Sequence, residues 1–180
     1  MRAFIAVSCP PDLRKGLAGV REEVKGSGDM KFVEPDNIHL TVKFLGVIDE
    51  GRVDKIVCAL DKVKVTPFDA SLKGLGVFPG RGSPKVLWAG IDSGCLSFEE
   101  LHRKVDDALL SLGFQRDDRF TCHYTLARIK HIQDRDAFNL VLDKYAAKGF
   151  GSFKVSEMSL MESFLQRDGP VYSEVRRFVF

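Results

Sequence analysis

The sequence predicts an α+β protein in which two pseudo-symmetric lobes, each an antiparallel sheet with helices on its outer face, pack together. Three observations lead there. Segments with a two-residue apolar period alternate with segments of helical period along the chain. The second half then repeats the strand and helix grammar of the first. No low-complexity stretch or linker divides the 180 residues, of which 44% are apolar and 29% charged, so 1–180 is read as one bilobal domain.

The first strand covers about 2–8, and the prolines at 10 and 11 stop it. Asp12 then caps a helix whose apolar positions Leu13, Leu17, Val20 and Val24 share one face, with Gly26 as its stop. Lys31–Glu34 and His39–Gly46 read as strands joined by the turn Pro35-Asp36-Asn37. Asp49 opens a second helix carrying Val53, Ile56, Val57 and Leu60. Phe68–Leu72, Leu75–Phe78 and Val86–Ile91 form a β-rich stretch punctuated by Gly74 and Gly76, with Gly80–Pro84 as a hairpin connection. Phe98, Leu101, Val105, Leu109 and Leu112 mark a helix, Thr121–Ile129 a strand and Asp134–Lys148 a helix. Strands near Phe153–Phe164 and Val171–Phe180 close the chain.

Charge and cysteine content narrow the function classes. The net charge is +2, with +3 on residues 1–90 (14 − 11) and −1 on 91–180 (13 − 14), so no basic arm or acidic tail exists. A nucleic-acid partner must therefore be held by a local site rather than a general electrostatic footprint, which disfavours long duplex DNA. Cys9, Cys58, Cys95 and Cys122 lie far apart with no Cys-x-x-Cys, the pattern of a reducing compartment, and zinc ribbons and redox motifs are set aside. The N-terminal apolar run is too short for a signal-peptide core, and no run approaches the roughly 18 apolar residues of a membrane span. Gly74-Leu-Gly76 lacks the third glycine of a dinucleotide fingerprint, and no phosphate-binding Gly-Lys-Ser/Thr loop occurs.

The chemistry rests on a repeat. His39-Leu-Thr41-Val and His123-Tyr-Thr125-Leu lie at the centre or start of predicted strands in different halves, and both read His-x-Thr-apolar. With four His and four Thr in 180 residues, chance alone supplies one such pair only rarely and two about three times in a thousand. Residues i and i+2 of a strand share a face, so each His and its Thr point the same way while Leu40, Val42, Tyr124 and Leu126 anchor the strands in the core. Two such strands across a cleft would surround one small anion with two imidazoles and two hydroxyls. Metal-free opening of a phosphodiester needs a base on the attacking water and an acid on the departing oxygen opposite it, and two histidines near pKa 6.5 supply both. The threonine hydroxyls would orient the phosphate.

At these residues the chain resembles the two-histidine phosphoesterases, specifically the LigT-like RNA 2′,3′-cyclic phosphodiesterases, historically called 2′-5′ RNA ligases. The likeness runs from Met-Arg-Ala-Phe-Ile-Ala-Val through His39–Gly46, Gly76–Pro79 and Val86–Trp88 to Arg119–Arg128. It implies a bilobal fold with a groove where both motifs meet, His39 as the proton donor to the leaving 3′ oxygen and His123 as the proton acceptor from water. It also implies Thr41, Thr125 and Arg128 as phosphate-binding residues, no metal and no cofactor, and RNA 3′ ends bearing a 2′,3′-cyclic phosphate, or nucleotides, as partners. The product would be a 2′-phosphate, with reverse 2′-5′ ligation open to the same groove. A cytoplasmic monomer without membrane attachment is expected. Arg128 lies an odd number of residues from His123, so a regular strand would turn it away; a bulge or a strand end there is required. Cys122 stands where relatives often have Pro.

Other readings stay open. The enzyme would serve small cyclic nucleotides or 2′-5′-linked oligonucleotides by the same chemistry, or the chain would be a non-catalytic RNA-end binder. A metal site of His39, His123 and Cys122 is the weakest, because alternation sends Cys122 and His123 to opposite faces. Lys43 shares the face of His39 by parity and is read as a solvated lysine, and His102 as a helix-surface residue near Asp106. His131 lies in a loop, and Phe44, Phe78, Trp88 and Phe120 are candidates for stacking a base.

Overall fold

The computed structural model describes residues 1–166 and 169–180, without the side chains of 165, 166, 169 and 170. Nine strands and four α-helices follow in the order β1 (Arg2–Ser8), α1 (Pro11–Val24), β2 (Gly28–Phe32), β3 (His39–Val47), α2 (Val53–Leu60), β4 (Phe68–Phe78), β5 (Val86–Ser93), α3 (Cys95–Leu110), β6 (His123–Ile132), α4 (Arg135–Tyr145), β7 (Gly149–Val155), β8 (Glu157–Gln166) and β9 (Gly169–Val179) among the described residues.

The strands form two antiparallel sheets, β3-β1-β8-β9 and β2-β6-β5-β4-β7. The lobes are therefore not the two halves of the chain. β8 and β9 return to the sheet of β1 and β3, while β2 leaves it to pair with β6. Helices cross over in the same way, since α1 and α4 pack together beside β7 and β4, whereas α2 and α3 pack together beside β3.

Local chemistry accounts for most boundaries. α1 begins at Pro11 with no side-chain cap, and Asp12 sits in its first turn rather than capping it. Proline at the first helical position gives up only an N–H that would have no partner, and an acid there favours the positive end of the helix dipole. Leu13, Leu17, Val20 and Val24 are buried on one face, each worth roughly 1.5–3 kcal/mol relative to exposure. Asp49 caps a short 3₁₀ turn, Glu50–Arg52, that leads into α2, and Asp134 accepts from the Ala137 amide at 2.9 Å to start α4. α3 starts earlier than its apolar period suggests, because Gly94 at φ 91° turns β5 directly into the helix. A Cβ at Gly94 would lie 2.8 Å from Ala70 Cβ and from the Asp69 carbonyl, so glycine is needed for conformation and for space. Phe68–Phe78 is one strand rather than two, bent where Gly74 takes φ 76°. The stretch expected as one strand near 153–164 divides into β7 and β8, which belong to different sheets.

Both motif strands carry a bulge in the same place. Along β3, Ala6 faces Thr41 and Ile5 faces Lys43, which leaves Val42 as an extra residue. Along β6, Trp88 faces Thr125 and Leu87 faces Ala127, which leaves Leu126 as an extra residue. Two consecutive residues in each strand, Val42-Lys43 and Leu126-Ala127, are therefore buried together.

The bulge corrects two readings. Lys43 is 3% exposed, not solvated; its ammonium pairs with Asp106 on α3 and donates to the Gln115 carbonyl at 2.9 Å. His102 is buried too, with Nδ1 2.7 Å from the Val42 carbonyl and Nε2 3.1 Å from the Asp117 carbonyl. Asp106 accepts from the Asp117 amide at 2.8 Å, and Phe120 stacks on His102 at 4.4 Å. This polar cluster ties β3 to the segment that leads into β6.

Candidate active site

β3, at the edge of one sheet, comes into contact with β6 of the other. Each begins at its histidine, and each histidine is fixed by the same local contact. His39 Nδ1 is 2.7 Å from the Asn37 carbonyl, and His123 Nδ1 is 2.7 Å from the Thr121 carbonyl. A carbonyl can only accept, so Nδ1 carries the proton in both rings and Nε2 is left for a ligand.

Aromatic rings hold each imidazole from the sides. Phe4 stacks on His39 at 4.8 Å and Tyr172 meets its edge at 5.1 Å. Phe78 meets the edge of His123 at 5.1 Å, with Trp88 behind it at 6.3 Å. The Trp88 indole lies across Gly76, where a Cβ would come within 2.1 Å of the ring. Gly76 is thus a spacing requirement of the His123 wall.

Burial lowers the affinity of both histidines for a proton. For His39 desolvation dominates, the Asn37 carbonyl opposes it, and the charge of His123 lowers it further. For His123 desolvation again leads, opposed by the Thr121 carbonyl.

Thr41 and Thr125 are half-buried and share their strands' faces with the histidines. Beyond the bulge of β6, Arg128 returns to that same face and is exposed, which resolves the parity objection. Burial pushes the Tyr172 phenol up, and the positive charge of Arg128 partly counters it. The equivalent residue of β3 is Phe44, 68% exposed and 6.4 Å from Phe4. One motif thus continues into a cation and the other into an aromatic ring.

Other expectations sort out around this pair. Phe78 and Trp88 flank His123 and Phe44 lies near Phe4, whereas Phe120 is taken up by His102. His131 is exposed on β6 rather than in a loop. Cys122 Sγ turns from His123 to the Cys95 carbonyl at 3.5 Å, and burial raises its pKa. No cluster of three or more His, Cys, Asp or Glu suited to a metal occurs among the described residues, and no described helix is long and apolar enough to cross a membrane. Phe4 and Tyr172 were not legible as site residues. Tyr172 on β9 reaches His39 only because β8 pairs with the distant β1, a long-range pairing with no local sequence signal.

The profile described as LigT like Phosphoesterase matches residues 7–88 and 95–172. The chain is 36% identical over 179 residues to an RNA 2′,3′-cyclic phosphodiesterase of Archaeoglobus fulgidus, covering 99% of both chains. It is 32% identical over 178 residues to the protein of that name from Methanocaldococcus jannaschii, covering 99% of this chain and 100% of the other. Among solved structures, a Thermus thermophilus protein, TT0787, superposes with a TM-score of 0.84 at 29% identity, covering 99% of this chain and 97% of that one. Escherichia coli LigT complexed with 3′-AMP shares the fold, with a TM-score of 0.75 at 21% identity over 99% of this chain and 96% of that one. With two bulged His-x-Thr strands converging between two sheets, and a family match over most of its length, the chain belongs to the LigT-like phosphoesterases of the two-histidine superfamily.

Proposed function

We propose that the protein hydrolyses the 2′,3′-cyclic phosphate at RNA 3′ ends to a 2′-phosphate, without a metal, using His39 as general acid and His123 as general base. The observation that carries the reading is the matched anchoring of both rings through Nδ1, which leaves two Nε2 atoms for one phosphate. The names of the relatives supply the substrate class.

In the reaction His123 Nε2 takes a proton from water as its oxygen forms a bond to phosphorus. The bond from phosphorus to the 3′ oxygen breaks on the opposite side, and His39 Nε2 gives that oxygen its proton. Thr41 and Thr125 donate to the non-bridging oxygens, and Arg128 balances their charge. Burial disfavours the cationic form of both imidazoles, and the incoming phosphate anion favours the protonated His39 that the acid role requires. The same steps with an RNA 5′ hydroxyl in place of water would join a 2′-5′ bond, the 3′ oxygen again leaving with the proton from His39.

The test is phosphorus NMR of a short RNA ending in a 2′,3′-cyclic phosphate, incubated with the protein in excess EDTA. A 2′-phosphate product is expected. A 3′-phosphate product would reverse the leaving oxygen, an EDTA-sensitive reaction would end the metal-free mechanism, and an unchanged cyclic phosphate would favour a binding protein or a different diester.

A further inference from the structure

Lys31 on β2 lies directly opposite Arg128 in the β2–β6 ladder. Opposed residues of an antiparallel pair share a face. The flanking pairs show which face this is: Met30 faces Ile129 and Phe32 faces Ala127, and all four pack into the core. Lys31 and Arg128 therefore emerge on the other side, with His123 and Thr125, and both are exposed.

Two like charges directly across a ladder weaken it. Neighbouring cations are compensated, Lys130 by Asp29 at 3.3 Å and Arg21 by Glu34 at 3.6 Å. Among the described residues, neither Lys31 nor Arg128 has a carboxylate within ion-pair distance. β2 is also the edge strand of its sheet, so Lys31 stands one strand beyond β6, the strand that carries His123 and Arg128. The pair thus extends the face of His123 and Thr125 toward the sheet edge, on the opposite lobe from the aromatic Phe44.

We propose that Lys31, backed by Arg128, forms a subsite for the phosphodiester preceding the terminal cyclic phosphate, and so makes the protein select an oligoribonucleotide end over a mononucleotide. This rests on the cyclic-phosphodiesterase reading above. A nucleoside 2′,3′-cyclic phosphate has no preceding phosphate and never reaches Lys31. A longer chain places a diester anion between the two cations, relieves their repulsion and is oriented by them.

The experiment compares kcat and KM for a nucleoside 2′,3′-cyclic phosphate and for a trinucleotide with the same terminus. Wild-type protein is expected to favour the trinucleotide in kcat/KM. Lys31→Ala should remove roughly tenfold of that preference, in KM rather than kcat, while mononucleotide turnover stays within about twofold. The salt dependence of trinucleotide kcat/KM should flatten by roughly 0.7 in log-log slope, and Lys31→Arg should restore both quantities. Lys31→Glu should abolish the preference without lowering Tm, because it replaces a repulsion with an attraction. Equal losses on both substrates, no loss on the trinucleotide, or a wild-type protein without preference would overturn the subsite while leaving the cyclic-phosphodiesterase reading standing. Wild-type protein that opens neither substrate would remove both.

Discussion

His39 and His123 present the same ring atom to the groove because each commits Nδ1 to the carbonyl two residues before it. A histidine free to rotate would lose part of its advantage to the entropy of finding the productive pose. Here the backbone at the start of each strand selects the tautomer, and Phe4, Tyr172, Phe78 and Trp88 restrict the tilt. If the two rings act as acid and base of one displacement, their losses do not add. His39→Ala and His123→Ala are each expected to lower kcat by at least about a thousandfold, and the double variant only a few-fold more. Single-turnover rates for the four proteins test this, and near-wild-type rates from either single variant would sink the two-histidine mechanism. The histidines and threonines were legible in the sequence because their spacing falls within one regular strand, where parity holds. Arg128 was legible only through resemblance, since the bulge at Leu126 breaks parity three residues beyond His123.

At the scale of elements, the paired bulges turn one sequence pattern to two uses. The residue after the extra one is buried in each lobe, and it is Ala127 in one and Lys43 in the other. A buried lysine is tolerated because Asp106 and the Gln115 carbonyl receive it, and Asp106 in turn holds the Asp117 amide. Lys43→Met would leave a carboxylate 5% exposed without its counter-charge, at a cost of about 3–5 kcal/mol. Lys43→Met combined with Asp106→Asn should recover part of that loss, since an amide oxygen can still accept from Asp117. Urea unfolding of the two variants checks the ordering; a single variant as stable as wild type would show that the Lys43–Asp106 pair does not hold β3 to α3. Sequence parity put Lys43 on the solvent side for the same reason that it turned Arg128 inward. The helices were easier to read: Leu13, Leu17, Val20 and Val24 on α1, and Phe98, Leu101, Val105 and Leu109 on α3, need only a regular local period. Which sheet β2, β8 and β9 would join was not readable, because strand pairing between distant segments depends on the whole core.

At the scale of the molecule, each sheet supplies one histidine, so an anion in the groove is a link between the lobes as well as a ligand. In the free protein burial lowers both histidine pKa values below the ordinary 6.5. The unfolded chain, with unshifted histidines, then binds more protons than the folded one as pH falls through about 6.5, so stability declines on the acid side. An anion held by both imidazoles opposes this, because it favours their charged forms and raises their pKa values in the complex. Sulfate keeps its charge across this range and is a suitable probe. It is expected to raise Tm more at about pH 5.5 than at about pH 8, relative to chloride at matched ionic strength, and the difference should disappear when His39 and His123 are both replaced by Ala. Equal Tm increments at the two pH values would mean that sulfate acts through general exclusion from the surface. A pH-dependent increment that survives replacement of both histidines would assign the anion to another site. The increment should shrink but persist in His39→Ala, since Thr125, Arg128 and His123 all come from β6 and one lobe still offers a partial site.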